Sequence, residues 1–136
     1  MVQFYVLSIL VNLTGGLLLS GDALSKKISS LDFCHKILKS ETYTLTIAII
    51  AAIAGLFKII SVFEGDLYII GDLLPAAASF TIAFYFFAKY LLDKKGVLDG
   101  HFGTISAFIE NYKTPIGIAC IIIAFLHFLF PGVVLL

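Results

Sequence analysis

Apolar residues fall into four long runs separated by short polar segments, approximately residues 2–21, 45–63, 72–92 and 115–136. A hydrocarbon layer about 30 Å thick is crossed by about 20 helical residues, so each run is long enough to span one. Lipid offers no partner to backbone N–H and C=O groups, which leaves helices or a closed barrel as spanning structures. The runs show no period-two alternation, so helices are predicted. The first run has no basic segment ahead of it and is too long for a signal peptide. Pro75 and Pro115 fall where the third and fourth helices begin, a place where the missing N–H is tolerated. Pro131 lies well inside the fourth run and predicts a kink or an early end near Gly132.

The pattern repeats. After the first run the chain reads Lys26-Lys27, Leu31-Asp32, His35, Glu41 and Tyr43; after the third it reads Lys94-Lys95, Leu98-Asp99, His101, Glu110 and Tyr112. From Glu41 and Glu110 onward the copies keep register without a gap. Ile47, Ile49 and Ile53 stand opposite Ile116, Ile118 and Ile122, and Lys58 stands opposite His127. Such self-similarity identifies a duplication, approximately 1–67 and 68–136, within one membrane domain of 136 residues. Each copy holds two runs, so both copies enter the membrane in the same direction, as tandem parallel hairpins related by an axis along the membrane normal.

Composition removes the soluble alternative. Hydrophobic residues make up 60% of the chain and charged residues 13%, against roughly half and about a quarter in an ordinary soluble domain. A small soluble fold keeps too much surface exposed to hide that excess. The expected class is therefore an all-α integral membrane protein with four transmembrane helices and membrane lipid as its surroundings. Formal charge is zero and every basic side chain is Lys, which argues against nucleic acid as a partner.

Charge also sets an orientation. Lys26, Lys27, Lys36 and Lys39 lie between the first two runs, and Lys94, Lys95 and Lys113 between the last two. The segment joining the hairpins carries Glu64 and Asp66. Lysine excess marks the cytoplasmic side, so both termini are expected outside the cytoplasm, in a bacterial cytoplasmic membrane. Ser29 and Asp32 have capping-box spacing. Leu31, Cys34, Ile37, Leu38 and Glu41 then recur with helical period, as do Phe102, Ile105, Phe108 and Ile109. These segments read as short cytoplasmic amphipathic helices at the headgroups, or as extensions of the runs that follow.

Small and polar residues mark packing faces. Ser8, Asn12, Gly16 and Ser20 recur every four residues in the first run, and Gly71, Pro75, Ser79 and Ala83 in the third. Ala48, Ala51, Ala52 and Gly55 do so in the second. Small residues at this spacing let helix backbones approach closely in lipid. Asn12 and Ser79 are the intramembrane polar members, and a hydrogen bond across the bundle is the expected use of Asn12.

Ionisable residues at depth point to function, because charge in hydrocarbon is costly. Lys58, Asp72 and His127 all fall toward the outer side and form a candidate ion or proton cluster. The competing reading has Lys58 snorkelling outward, Asp72 capping a helix and His127 hydrogen-bonded in the bundle. Asp32, Cys34, His35, Asp99 and His101 are weak metal candidates, with Asp-to-His spacings that differ between the copies. No nucleophile–base pair, phosphate loop or paired catalytic carboxylate is present, so no cofactor and no enzymatic activity are expected. The expected role is an accessory component that packs through its small-residue faces, as a homo-oligomer or within a larger membrane complex. The alternative is a small transporter or channel using Lys58, Asp72 and His127.

Overall fold

The computed structural model describes residues 2–38, 40–60, 73–95 and 100–130. Every regular element among them is helical: α1 (Val2–Ser25), a 3-10 turn (Ser29–Leu31), α2 (Phe33–Leu38), α3 (Glu41–Ile60), α4 (Leu73–Lys95) and α5 (His101–Leu129). Four of these are long and apolar enough to cross a membrane: Gln3–Ser25 in α1, Glu41–Ile60 in α3, Leu73–Leu92 in α4 and Gly103–Leu129 in α5.

In α5 the second sequence alternative holds, an extension of the run that follows, and Pro115 lies inside the helix and not at its start. Residues 101–114 do not form a separate surface helix; they continue into the fourth run as one helix of 29 residues with Pro115 inside it. At 1.5 Å per residue it is about 44 Å long, well beyond a hydrocarbon core of about 30 Å. Proline removes the hydrogen bond to the carbonyl four residues earlier, here that of Asn111. Both residues lie on the exposed side of the helix, so the carbonyl left over is not trapped in the core. In the first copy the corresponding segment does break. Asp32 N–H donates to the Ser29 carbonyl and closes a 3-10 turn, so Ser29 opens that turn and does not cap an α-helix. The Ser40 N–H donates to Ile37, and Thr44 N–H to the Ser40 carbonyl, where α3 begins. Pro75 lies in the first turn of α4. Pro131 and Gly132 lie outside the described residues.

Contacts between helix ends fix the directions. Tyr5 near the start of α1 meets the end of α5, and Asp22 near the end of α1 meets the first half of α5. Phe4 stacks on Phe57 near the end of α3, with ring centroids 4.1 Å apart. Thus α1 runs antiparallel to α3 and α5. Tyr85 in the second half of α4 reaches Glu110 in the first half of α5, so α4 runs with α1. The most extensive packing joins α1 to α5 and α3 to α4; α1–α3 and α4–α5 contacts are smaller, and α1 and α4 touch across the middle. Exchanging the two halves of the chain maps this neighbour pattern onto itself.

Packing departs from the usual soluble arrangement in how much polar surface it buries and how much large apolar surface it exposes. The interior holds Ser8, Asn12, Ser20, Thr44, Ser79, Ala51 and Ala54, all buried. Leu19, Ile82 and Phe86 are buried with them, yet many large apolar side chains point outward: Ile60 is 65% exposed, Phe128 63% and Leu129 62%. Small residues permit the close approaches. A Cβ on Gly16 would meet the Gly117 carbonyl oxygen at 2.7 Å, and one on Gly117 would meet the Gly16 oxygen at 2.6 Å. The backbones of α1 and α5 therefore touch where those two glycines cross, a contact that any side chain would separate.

Candidate functional site

Among the described residues, three polar constellations lie along the bundle. The central one is built where α1 crosses α4. Asn12 Nδ2 donates to the Pro75 carbonyl at 3.0 Å, and Ser79 Oγ donates to Asn12 Oδ1 at 2.9 Å. Both amide atoms of a buried Asn are thus bonded to the neighbouring helix. An unpaired amide here would carry a desolvation penalty, so the pair holds α1 and α4 in one register. Coupling between Asn12→Ala and Ser79→Ala, measured as a double-mutant cycle of unfolding in detergent, should be about 0.6 kcal/mol and no more than about 1.7 kcal/mol; additive effects would contradict the bond.

The second constellation lies at the end of the bundle where α1 begins. Lys58, in the last turn of α3, is only 4% exposed, and His127, in the last turn of α5, is 1% exposed. Tyr5 of α1 sits between them. The Lys58 ammonium lies 5.2 Å from the Tyr5 ring centroid, within range of a cation–π contact. The His127 ring lies 4.7 Å from the same ring, tilted by 54°. The Tyr5 hydroxyl donates to the His127 carbonyl oxygen at 2.6 Å, a carbonyl near the C-terminus of α5 that has no helical donor four residues on. Lys58 does not snorkel to the exterior as a surface anchor would. Asp72 lies outside the described residues.

The third lies at the Lys-rich end. Lys113 Nζ bridges Asp22 of α1 at 2.6 Å and Glu110 of α5 at 2.8 Å. The Tyr85 hydroxyl of α4 donates to the other Glu110 oxygen at 2.7 Å, and Lys89 lies within electrostatic reach of Glu110. Two carboxylates and two ammonium groups from three helices therefore balance one another. The acids and Lys113 are partly solvated, so each exposed pair contributes at most about 1 kcal/mol.

Sequence reasoning placed Glu110 and Lys113 in a connecting segment and gave Asp22, Tyr85 and Tyr5 no role. The i,i+3 spacing of Glu110 and Lys113 was the available signal for a helical ion pair. Asp32 and His101 are exposed, Asp99 and the side chains of Cys34 and His35 lie outside the description, and no metal-holding group of three or more His, Cys, Asp or Glu occurs among the described residues.

Fold and sites together define an all-helical protein with four helices of membrane-spanning length and apolarity. The chain belongs to a protein family of unknown function whose model matches residues 1–127. It is similar to an uncharacterized protein of Treponema pallidum (strain Nichols), with 28% identity over 132 residues, 96% of this chain and 95% of that protein. No solved structure matches it.

Proposed function

We propose that this chain is a multipass protein of a bacterial cytoplasmic membrane, built by duplication of a two-helix hairpin. Its role in this reading is that of a non-catalytic accessory component, which self-associates or joins a larger membrane complex. The observation that carries the membrane reading is the outward display of large apolar side chains such as Ile60, Phe128 and Leu129, around an interior that takes in Ser8, Asn12, Ser20, Thr44 and Ser79 beside Leu19, Ile82 and Phe86. In water those exposed groups would forfeit about 25 cal/mol per Å²; in lipid they are at home. The Lys-rich end faces the cytoplasm, which leaves both termini on the other side. The matching extent of the α1–α5 and α3–α4 packing supports the duplication.

Association uses a different surface from the one the small-residue stripes suggested. The described glycines of those stripes are occupied within the chain, Gly16 against Gly117 and Gly55 against Phe80. The outermost helix is α5, whose span is 22% buried against 50% for α1 and α4. It presents Ile118, Ile122, Phe125 and Phe128 outward, and this face is the proposed contact. Native mass spectrometry of protein released from a mild detergent tests it. The expected species contains a second copy or another chain, and Ile122→Ala with Phe125→Ala converts it to single chains. Single chains of the unaltered protein would overturn the accessory reading.

A second reading, a small transporter or channel, is favoured by the burial of Lys58 and His127 around Tyr5. Proteoliposomes loaded with a pH-sensitive dye test it. If protons move, Lys58→Met and His127→Ala should each slow them by about tenfold or more; an unchanged rate removes both residues from any path.

A further inference from the structure

A groove of about 490 Å³ runs along the outer side of the α3–α4 pair. Ala48, Ala52 and Ala83 leave it open, and Phe80, Phe84 and Phe87 wall one side. The three phenylalanines follow one face of α4, and the same helical spacing continues to Tyr90 and Lys94. The exposed Lys94 ammonium lies 5.1 Å from the Tyr90 ring centroid. On α3, Ala48 and Ala52 lie two and three turns beyond Glu41, on its own side of the helix. Glu41 is exposed and within electrostatic reach of Lys94. The apolar groove is lined as far as Phe87 and Ala48, and the faces that line it continue about two turns further to this cation and this anion.

Its length suits a lipid chain. From Phe80 to Lys94 the face of α4 extends about 21 Å, which exceeds half of a hydrocarbon core, about 15 Å. A chain lying in the groove reaches the headgroup level where Lys94 and Glu41 stand. At the matching residues of the other half, Gly117 and Ile121 stand where Ala48 and Ala52 stand here, and Gly117 is closed against Gly16.

Resting on the membrane reading, we propose that this groove binds one phospholipid with a phosphoethanolamine headgroup. One acyl chain lies along Phe80, Phe84 and Phe87, Lys94 meets the phosphate, and Glu41 accepts a hydrogen bond from the primary ammonium. A choline headgroup has no N–H to give Glu41, and a glycerol headgroup brings no positive charge to it.

The test reconstitutes the full chain into liposomes of equal parts phosphatidylethanolamine, phosphatidylglycerol and phosphatidylcholine, followed by mild detergent extraction and native mass spectrometry. The expected result is retained phosphatidylethanolamine enriched about tenfold over each of the others. Glu41→Gln should abolish that enrichment while leaving phospholipid bound. Lys94→Gln should weaken retention of all three. Ala52→Trp, at an exposed position that fills the groove without touching the core, should remove the retained lipid. Equal retention of the three lipids would overturn the proposal, as would enrichment unchanged by Glu41→Gln or by Ala52→Trp, or a second copy of the chain in the groove. Failure of the chain to enter liposomes at all would instead overturn the membrane reading, so the two failures are distinguishable.

Discussion

Gly117→Ala should lower the stability of the folded bundle by about 2 kcal/mol. The added methyl enters a space already held by backbone: the Gly16 oxygen at 2.6 Å and the Ser20 nitrogen at 2.7 Å. Backbone atoms cannot rotate aside as a side chain end can, so α1 and α5 must move apart. Overpacking of this kind costs about 3 kcal/mol at the upper end of its range, against which alanine's better helix propensity returns about 1 kcal/mol. Gly55→Ala is the control. Its Cβ would first meet the Phe80 ring, at 3.2 Å, and that ring borders the open groove between α3 and α4. The control should be neutral or slightly stabilising. Thermal or denaturant unfolding in detergent reads both, and equal effects at the two glycines would contradict the close crossing.

Tyr5 should show the next largest effect. Its ring carries the contacts to Lys58 and His127, and its hydroxyl holds the end of α5. Tyr5→Phe keeps the ring and loses one hydrogen bond, an expected cost of about 1 kcal/mol. Tyr5→Ala also withdraws the aromatic face from a buried ammonium and leaves a cavity, an expected cost of about 3 kcal/mol. The difference between the two variants therefore measures the ring. Lys58→Met with Tyr5→Ala extends the test: once the cation is gone, part of the Tyr5→Ala cost should vanish. Strict additivity would mean that the cation–π geometry contributes nothing.

Legibility from the chain followed the strength of the physical signal. Four helices were readable because apolar runs of that length carry few charges. The neighbourhood of Lys58 and His127 was foreshadowed by the register of the repeat, which set them opposite each other. Asn12 and Ser79 stood out through their four-residue spacing among small residues. Tyr5 gave no such sign: an aromatic residue inside an apolar run looks like any lipid-facing side chain, and only the fold puts it between two buried bases. Asp22 was hidden for another reason. It stands one residue beyond the first run, where an acid looks like an ordinary boundary residue. The extension of α5 through residues 101–114 is one of the two alternatives that the helical period offers; the place of Pro115 inside the helix is not legible, because proline is commonest at a helix start. An exposed proline with an exposed residue four positions earlier can remain inside a helix. Residues 61–72 lie outside the described structure, and with them Asp72, so the outer cluster is described through Lys58, His127 and Tyr5 alone.

Cysteine accessibility in intact cells tests the central claim, a four-helix bundle set in a membrane with large apolar side chains facing lipid. Cys34 and Cys120 are first replaced by Ser and Ala, and single cysteines are placed at Lys27, Ile53, Glu64, Lys94 and Ile122. A membrane-impermeant maleimide should label the position at Glu64 from outside. It should reach those at Lys27 and Lys94 only after the membrane is opened. The positions at Ile53 and Ile122, exposed on the bundle yet buried in hydrocarbon, should resist labelling in both cases. Rapid labelling at Ile53 and Ile122 in intact membranes would mean that these faces meet water, and would contradict the account.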